Sequence, residues 1–236
     1  MGRAHEVRKV AMAKTAAAKS KLYAKYGKEI YMAAKSGTPD PDSNATLKKM
    51  IEKAKKDQVS ADVIQRAIEK AKGGSDESYI GARYEGFGPG NSQIIVEALT
   101  DNVNRTIAEV RTIFNKIGGK MGSVLHMFEN KAVFNFKGLT EDEVYEILLE
   151  NDCDISDLEV EDDYVTVYAD ANQYNQIRTS LLDSKPELDL EVDAVMYLPI
   201  SEVTLEGHDL ELFEKMMAQF DELDDVQEVY HNVIKD

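Results

Sequence analysis

From Ala17 to Lys35 the apolar residues Leu22, Tyr26, Ile30 and Ala33 recur at spacings of four, four and three. One stripe of a helix is therefore apolar, and Lys21, Lys25 and Lys28 share another face. Gly37 and the turn-forming run Thr38-Pro39-Asp40-Pro41-Asp42 end this helix, because each proline drives the residue before it out of helical geometry. Ser43 or Asn44 then caps a second helix, with Leu47, Met50 or Ile51, and Ala54 inward and Lys48, Lys49, Lys53, Lys55 and Lys56 around the rest. Ser60 opens a third helix through Val63, Ile64, Ala67, Ile68 and Ala71, closed by Gly73-Gly74. Three short amphipathic helices on tight links can bury their stripes only against one another, which predicts a small helical bundle over residues 1–78.

Beyond Ser75 the period changes. Ala82–Tyr84 and Gln93–Leu99 read as strands, Thr106–Ile117 as a helix, and Val124–Phe128 with Val133–Phe136 as a strand pair. A second set follows: helix Glu141–Glu150, strands Ile155–Val160 and Tyr164–Ala169, helix Asn172–Leu182 and strand Leu190–Tyr197. After Pro199 come a helix at Asp209–Leu223 and a strand at Val226–Tyr230, which the unfinished middle set needs as its third layer members. The expected class is α+β. Residues 79–137 and 200–236 form a discontinuous middle α/β domain, and 138–199 form an inserted one, both sandwich-like.

Charge follows this division. The whole chain of 236 residues holds 44 acids against 28 bases, a net −16, which taken alone opposes nucleic-acid binding. Residues 1–74, however, carry 17 Lys and Arg against 8 Asp and Glu, whereas residues 138–236 carry 4 against 29. A basic lobe acts on its own when the acidic one lies beyond the screening length of roughly 8 to 10 Å. No apolar run approaches the 18 or so residues of a membrane span, and Lys14, Lys19 and Lys21 interrupt the Ala-rich start that a secretory signal would need. Cys153 is the one cysteine, which fits a reducing cytoplasm.

Candidate chemistry is sparse. Gly86-Phe87-Gly88-Pro89-Gly90 precedes a strand rather than joining a strand to a helix, so it reads as a turn and not as a phosphate loop. His5, His126, His208 and His231 form no ligand-spaced pair, and Cys153 sits among Asp152, Asp154 and Asp157, which suppress a thiolate. No enzyme, cofactor or metal site is expected. The polar run from Thr100 to Thr106 lies between a strand and a helix; it caps the helix or, through Arg105, holds a phosphate.

Several of these segments together resemble the YebC/PmpR family: Pro39-Asp40-Pro41-Asp42-Ser43-Asn44, Tyr84-Glu85-Gly86-Phe87-Gly88-Pro89, Val96 through Thr106, and Gly118-Gly119 followed by Met127-Phe128. The likeness runs essentially from Gly2 to the last strand. It is strongest to the YeeN-type branch, with departures at Gly2–Val7 and a shortened Gly118–Val124. It implies three domains, one helical and two α/β around a cleft, and a DNA-binding transcriptional regulator. Relatives also include mitochondrial translational activators of cytochrome c oxidase and ribosome-linked factors.

The sequence thus leads to a cytoplasmic, non-enzymatic nucleic-acid-binding regulator. Its expected phosphate contacts are Arg3, Arg8, Lys9, Lys14, Lys19, Lys21, Lys25, Lys28, Lys48, Lys49, Lys55, Lys56 and Arg105. DNA or ribosomal RNA is the expected partner, the second making the chain a translation factor. A third reading is an adaptor whose acidic domain docks a basic protein.

Overall fold

The computed structural model describes residues 19–74 and 78–234. They divide into two compact units: one runs from the start of the described chain to Val124 and takes back Leu205–His231, and the other is Leu125–Thr204 with Asn232–Ile234. No described helix is long and apolar enough to cross a membrane.

The first unit begins with α1 (Lys19–Lys35), α2 (Ala45–Lys56) and α3 (Ala61–Lys72). Tyr26, Ile30, Leu47, Ile51, Ala54, Ile64 and Ile68 form the centre of an apolar core whose buried members all come from these helices and the Val59 link. Asn44 rather than Ser43 caps α2. Its carboxamide oxygen accepts from the Leu47 N–H at 3.0 Å, while its amide donates to the carbonyls of Ala33 at 2.9 Å and Thr38 at 2.8 Å. Ser43 has no second donor for such a bridge and bonds Asp40 at 2.9 Å instead. The Tyr26 hydroxyl donates to Asp57, and burial first, then this carboxylate, push the phenol's pKa far up.

The same unit continues with β1 (Ile80–Phe87), β2 (Gln93–Thr100), α4 (Val103–Lys116), β3 (Lys120–Met121) and, after the interruption, α7 (Gly207–Glu222) and β9 (Val226–His231). The sheet order is β3-β1-β2-β9, antiparallel throughout. Phe114 of α4 and Phe220 of α7 meet edge to face at 5.3 Å, both buried. Gly86 makes that packing possible, since a Cβ there would lie 2.6 Å from the Phe114 ring and 2.7 Å from the Lys120 carbonyl oxygen. The Pro89–Asn91 segment is a single tight turn before β2, with Gly90 at φ 60°.

The second unit contains β4 (Phe128–Lys137), α5 (Glu141–Glu150), β5 (Asp157–Glu161), β6 (Tyr164–Asp170), α6 (Tyr174–Ser184), β7 (Leu190–Pro199), β8 (Val203–Thr204) and β10 (Val233–Ile234). Its main sheet is ordered β5-β6-β4-β7, and α5 and α6 cover the face bearing Phe134, Phe136, Val165 and Val167. The expected strand pair at Val124–Phe128 and Val133–Phe136 does not form. Leu125–Met127 is a helical turn, and β4 is one ten-residue strand bonded to β6 and β7. The break between units therefore falls at Leu125 rather than 138. The final β10 pairs in parallel with β8, so it leaves the middle sheet as well.

Candidate nucleic-acid interface

On α2, Leu47, Ile51 and Ala54 face the bundle core, which turns Lys48, Lys49, Lys53, Lys55 and Lys56 onto the opposite arc with Glu52 as the acid among them. Lys49 is half-buried and the other four are exposed. Lys48, Lys53 and Lys55 pair with no carboxylate among the described residues. Lys53, Lys55 and Lys56 occupy the last turn, where cations complement the helix dipole. The local packing thus produces a dense positive arc on a rigid support.

The lysines of α1 lie on the face away from the core but are engaged. The Lys21 ammonium pairs with Asp221 at 2.8 Å, and Lys25 with Glu228 at 2.5 Å and the Gln227 carbonyl at 2.6 Å. Lys28 reaches Asp225 at 2.8 Å and the Asp224 carbonyl at 2.9 Å. Asp225 is the hub. Its other carboxylate oxygen takes the Arg105 guanidinium at 2.6 Å and the hydroxyls of Thr100 and Thr106 at 2.9 Å each. Burial alone would raise this carboxyl's pKa, but the hydrogen bonds from Lys28, Arg105, Thr100 and Thr106 outweigh it and hold the group well below the usual carboxylate range.

Arg105 also pairs with Asp101 at 2.9 Å, and its own N–H donates to the Asn102 side chain at 3.1 Å, which caps α4. The polar run from Thr100 to Thr106 is accordingly a capped helix start that holds an internal carboxylate. Of the expected phosphate contacts, Lys48, Lys49, Lys55 and Lys56 come together on one arc, whereas Lys21, Lys25, Lys28 and Arg105 converge on Asp221, Asp225 and Glu228. Arg3, Arg8, Lys9, Lys14 and the Lys19 side chain lie outside the described residues. Sequence reasoning passed over Lys53, whose place on the arc follows from helical periodicity. It could not see Asp221, Asp225 or Glu228, about two hundred positions from their lysines.

No group of three or more His, Cys, Asp or Glu is placed to hold a metal ion among the described residues. Cys153 is half-buried against the second unit's core, with its Sγ 3.5 Å from the Ser180 hydroxyl. A Cβ at Gly88 would meet Ile94 and Ser92 at 2.7 Å, so the glycine turn is filled by the protein's own side chains.

The described residues thus combine an all-helical bundle, with a cluster of lysines on α2, and antiparallel α/β layers. Residues 3–74 match the TACO1/YebC protein N-terminal domain and residues 79–233 the TACO1/YebC second and third domain, so the chain belongs to the TACO1/YebC family. It is 52% identical to a probable transcriptional regulatory protein of Alteromonas mediterranea, across 99% of both chains. It is 54% identical to one of Acholeplasma laidlawii, across 99% of this chain and 98% of that one. The crystal structure of a conserved hypothetical protein from Aquifex aeolicus superposes with a TM-score of 0.76 at 32% identity, covering 94% of this chain and 93% of the other.

Proposed function

We propose that the protein is a non-enzymatic, DNA-binding regulator of transcription, acting in the cytoplasm, whose bundle grips the phosphate backbone through the solvent arc of α2. The observation that carries this reading is the exposure of Lys48, Lys53, Lys55 and Lys56, with Lys49 beside them, on the arc opposite the bundle core. Arg3, Arg8, Lys9, Lys14 and Lys19 extend the positive charge on the chain leading into the bundle. The names carried by relatives, probable transcriptional regulatory proteins, support the regulatory half of the proposal. Such contacts set position and affinity but read no base, so target choice rests on other surfaces.

Changing Lys48, Lys53 and Lys55 together to Gln tests it. Each lost phosphate contact flattens the log–log salt dependence by about 0.9, so the triple variant should lose about 2.7 units of slope on duplex DNA while its thermal unfolding is unmoved. Unchanged affinity and slope would overturn the assignment of α2. Crosslinking in cells followed by sequencing addresses the target: promoter DNA is expected, and ribosomal RNA without DNA would overturn the transcriptional role.

A further inference from the structure

Helix α1 is two-sided. Tyr26, Ile30 and Ala33 face the bundle core, and Lys21, Lys25 and Lys28 face the segment from the end of α7 into β9. The lysines lie four and then three residues apart along α1, and their partners are Asp221 for Lys21, Glu228 for Lys25 and Asp225 for Lys28, so the acids are not met in chain order. Each ammonium meets one carboxylate, so the segment presents anions to a row of cations, as a nucleic-acid strand presents phosphates. The side chains involved range from nearly buried to open: Lys28 and Asp225 are 15% and 7% exposed, Lys21 and Asp221 22% and 69%.

The apolar packing across this junction is thin. Every buried member of the bundle core lies between Tyr26 and Ile68, and Tyr79 is the partly buried residue from beyond the 75–77 link that packs against it. Solvated ion pairs are weak and sensitive to competing ions. Lys21–Asp221 is open to solvent, whereas Lys25–Glu228 and Lys28–Asp225 are mostly covered, so the α1 face of the bundle is held mainly by charge contacts, the outermost of which a polyanion replaces most readily.

We propose that Lys21, Lys25 and Lys28 form a second, latent phosphate-binding face, which the protein's own acidic segment masks and which a bound nucleic-acid backbone takes over by displacing Asp221, Glu228 and finally Asp225. This rests on the DNA-binding reading above and adds regulation to it: the acids act as a tethered competitor, so weak or short polyanions meet only α2, whereas an extended backbone recruits both faces. The competitor is intramolecular and therefore present at high effective concentration, which sets a threshold for engagement.

The test uses the full chain and a random-sequence DNA duplex. Asp221→Asn with Glu228→Gln removes the two outer competitors and leaves the buried Asp225 hub intact. The control, Asp209→Asn with Glu222→Gln, makes the same charge change at two exposed acids of α7 that pair with no lysine of α1. Unmasking predicts duplex binding three- to tenfold tighter than the control, on the scale of one exposed and one part-buried ion pair no longer to be broken. The gain should vanish when Lys21→Gln and Lys25→Gln are added. Circular dichroism and thermal unfolding establish that each variant is folded. No gain over the control, or a gain that survives loss of the two lysines, overturns the masking while α2-dependent binding stands. Absence of duplex binding by wild type and variants alike overturns the reading on which it rests.

Discussion

Asp225 shows how a single residue can carry more than its local sequence suggests. In the chain it is one acid in an Asp-Glu-Leu-Asp-Asp run, yet in the structure it collects Lys28, Arg105, Thr100 and Thr106 at 2.6 to 2.9 Å. Because its folded pKa lies below the unfolded value of about 3.9, its contribution to stability is complete above that value and is lost as pH falls toward the folded one. Asp225→Asn should lower stability at neutral pH by about 1 to 3 kcal/mol, since it leaves the mostly covered Lys28 ammonium without its carboxylate, while Arg105 keeps Asp101. It should also flatten the acid limb of a denaturation series below about pH 4. An acid limb unchanged by the substitution would show that the hub's charge is not what the fold uses. Two glycines give a paired prediction. Gly86→Ala forces a Cβ into the Phe114 ring and should cost about 1 to 3 kcal/mol. Gly27→Ala meets open space inside α1 and should stabilise by about 0.5 to 1 kcal/mol. Urea midpoints of the two variants check both signs.

At the scale of elements, legibility followed the range of the interactions involved. The three bundle helices could be read because their signals are local: apolar residues at helical spacing, a Pro-rich link, Ser60 as a cap and paired glycines as a stop. Asn44 was readable as a cap, but its bridge to Ala33 and Thr38 was not, because that depends on how α1 ends in space. β4 was harder. Its residues alternate as a strand should, but strand partners are chosen across the chain, and β6 and β7 lie up to 71 positions away. The same limit applied to the lysines. Sequence placed Lys21, Lys25 and Lys28 on one face of α1 and could not say that the face meets carboxylates. On α2 the sequence pattern and the exposed Lys48, Lys53 and Lys55 coincide, and these three pair with no carboxylate among the described residues.

For the whole molecule, a net charge of −16 disguises a basic bundle and an acidic second unit. The acids do not cancel the bases uniformly: three are taken up by the ion pairs of α1, and 18 of the 44 lie on residues 138–199, against two bases there. If the bundle binds by neutralising phosphates, the affinity of the full chain for a DNA duplex must fall steeply across a series of rising salt concentrations. Neutralisation of about six phosphates predicts a log–log slope near −5. An affinity that stays flat as salt rises would contradict it.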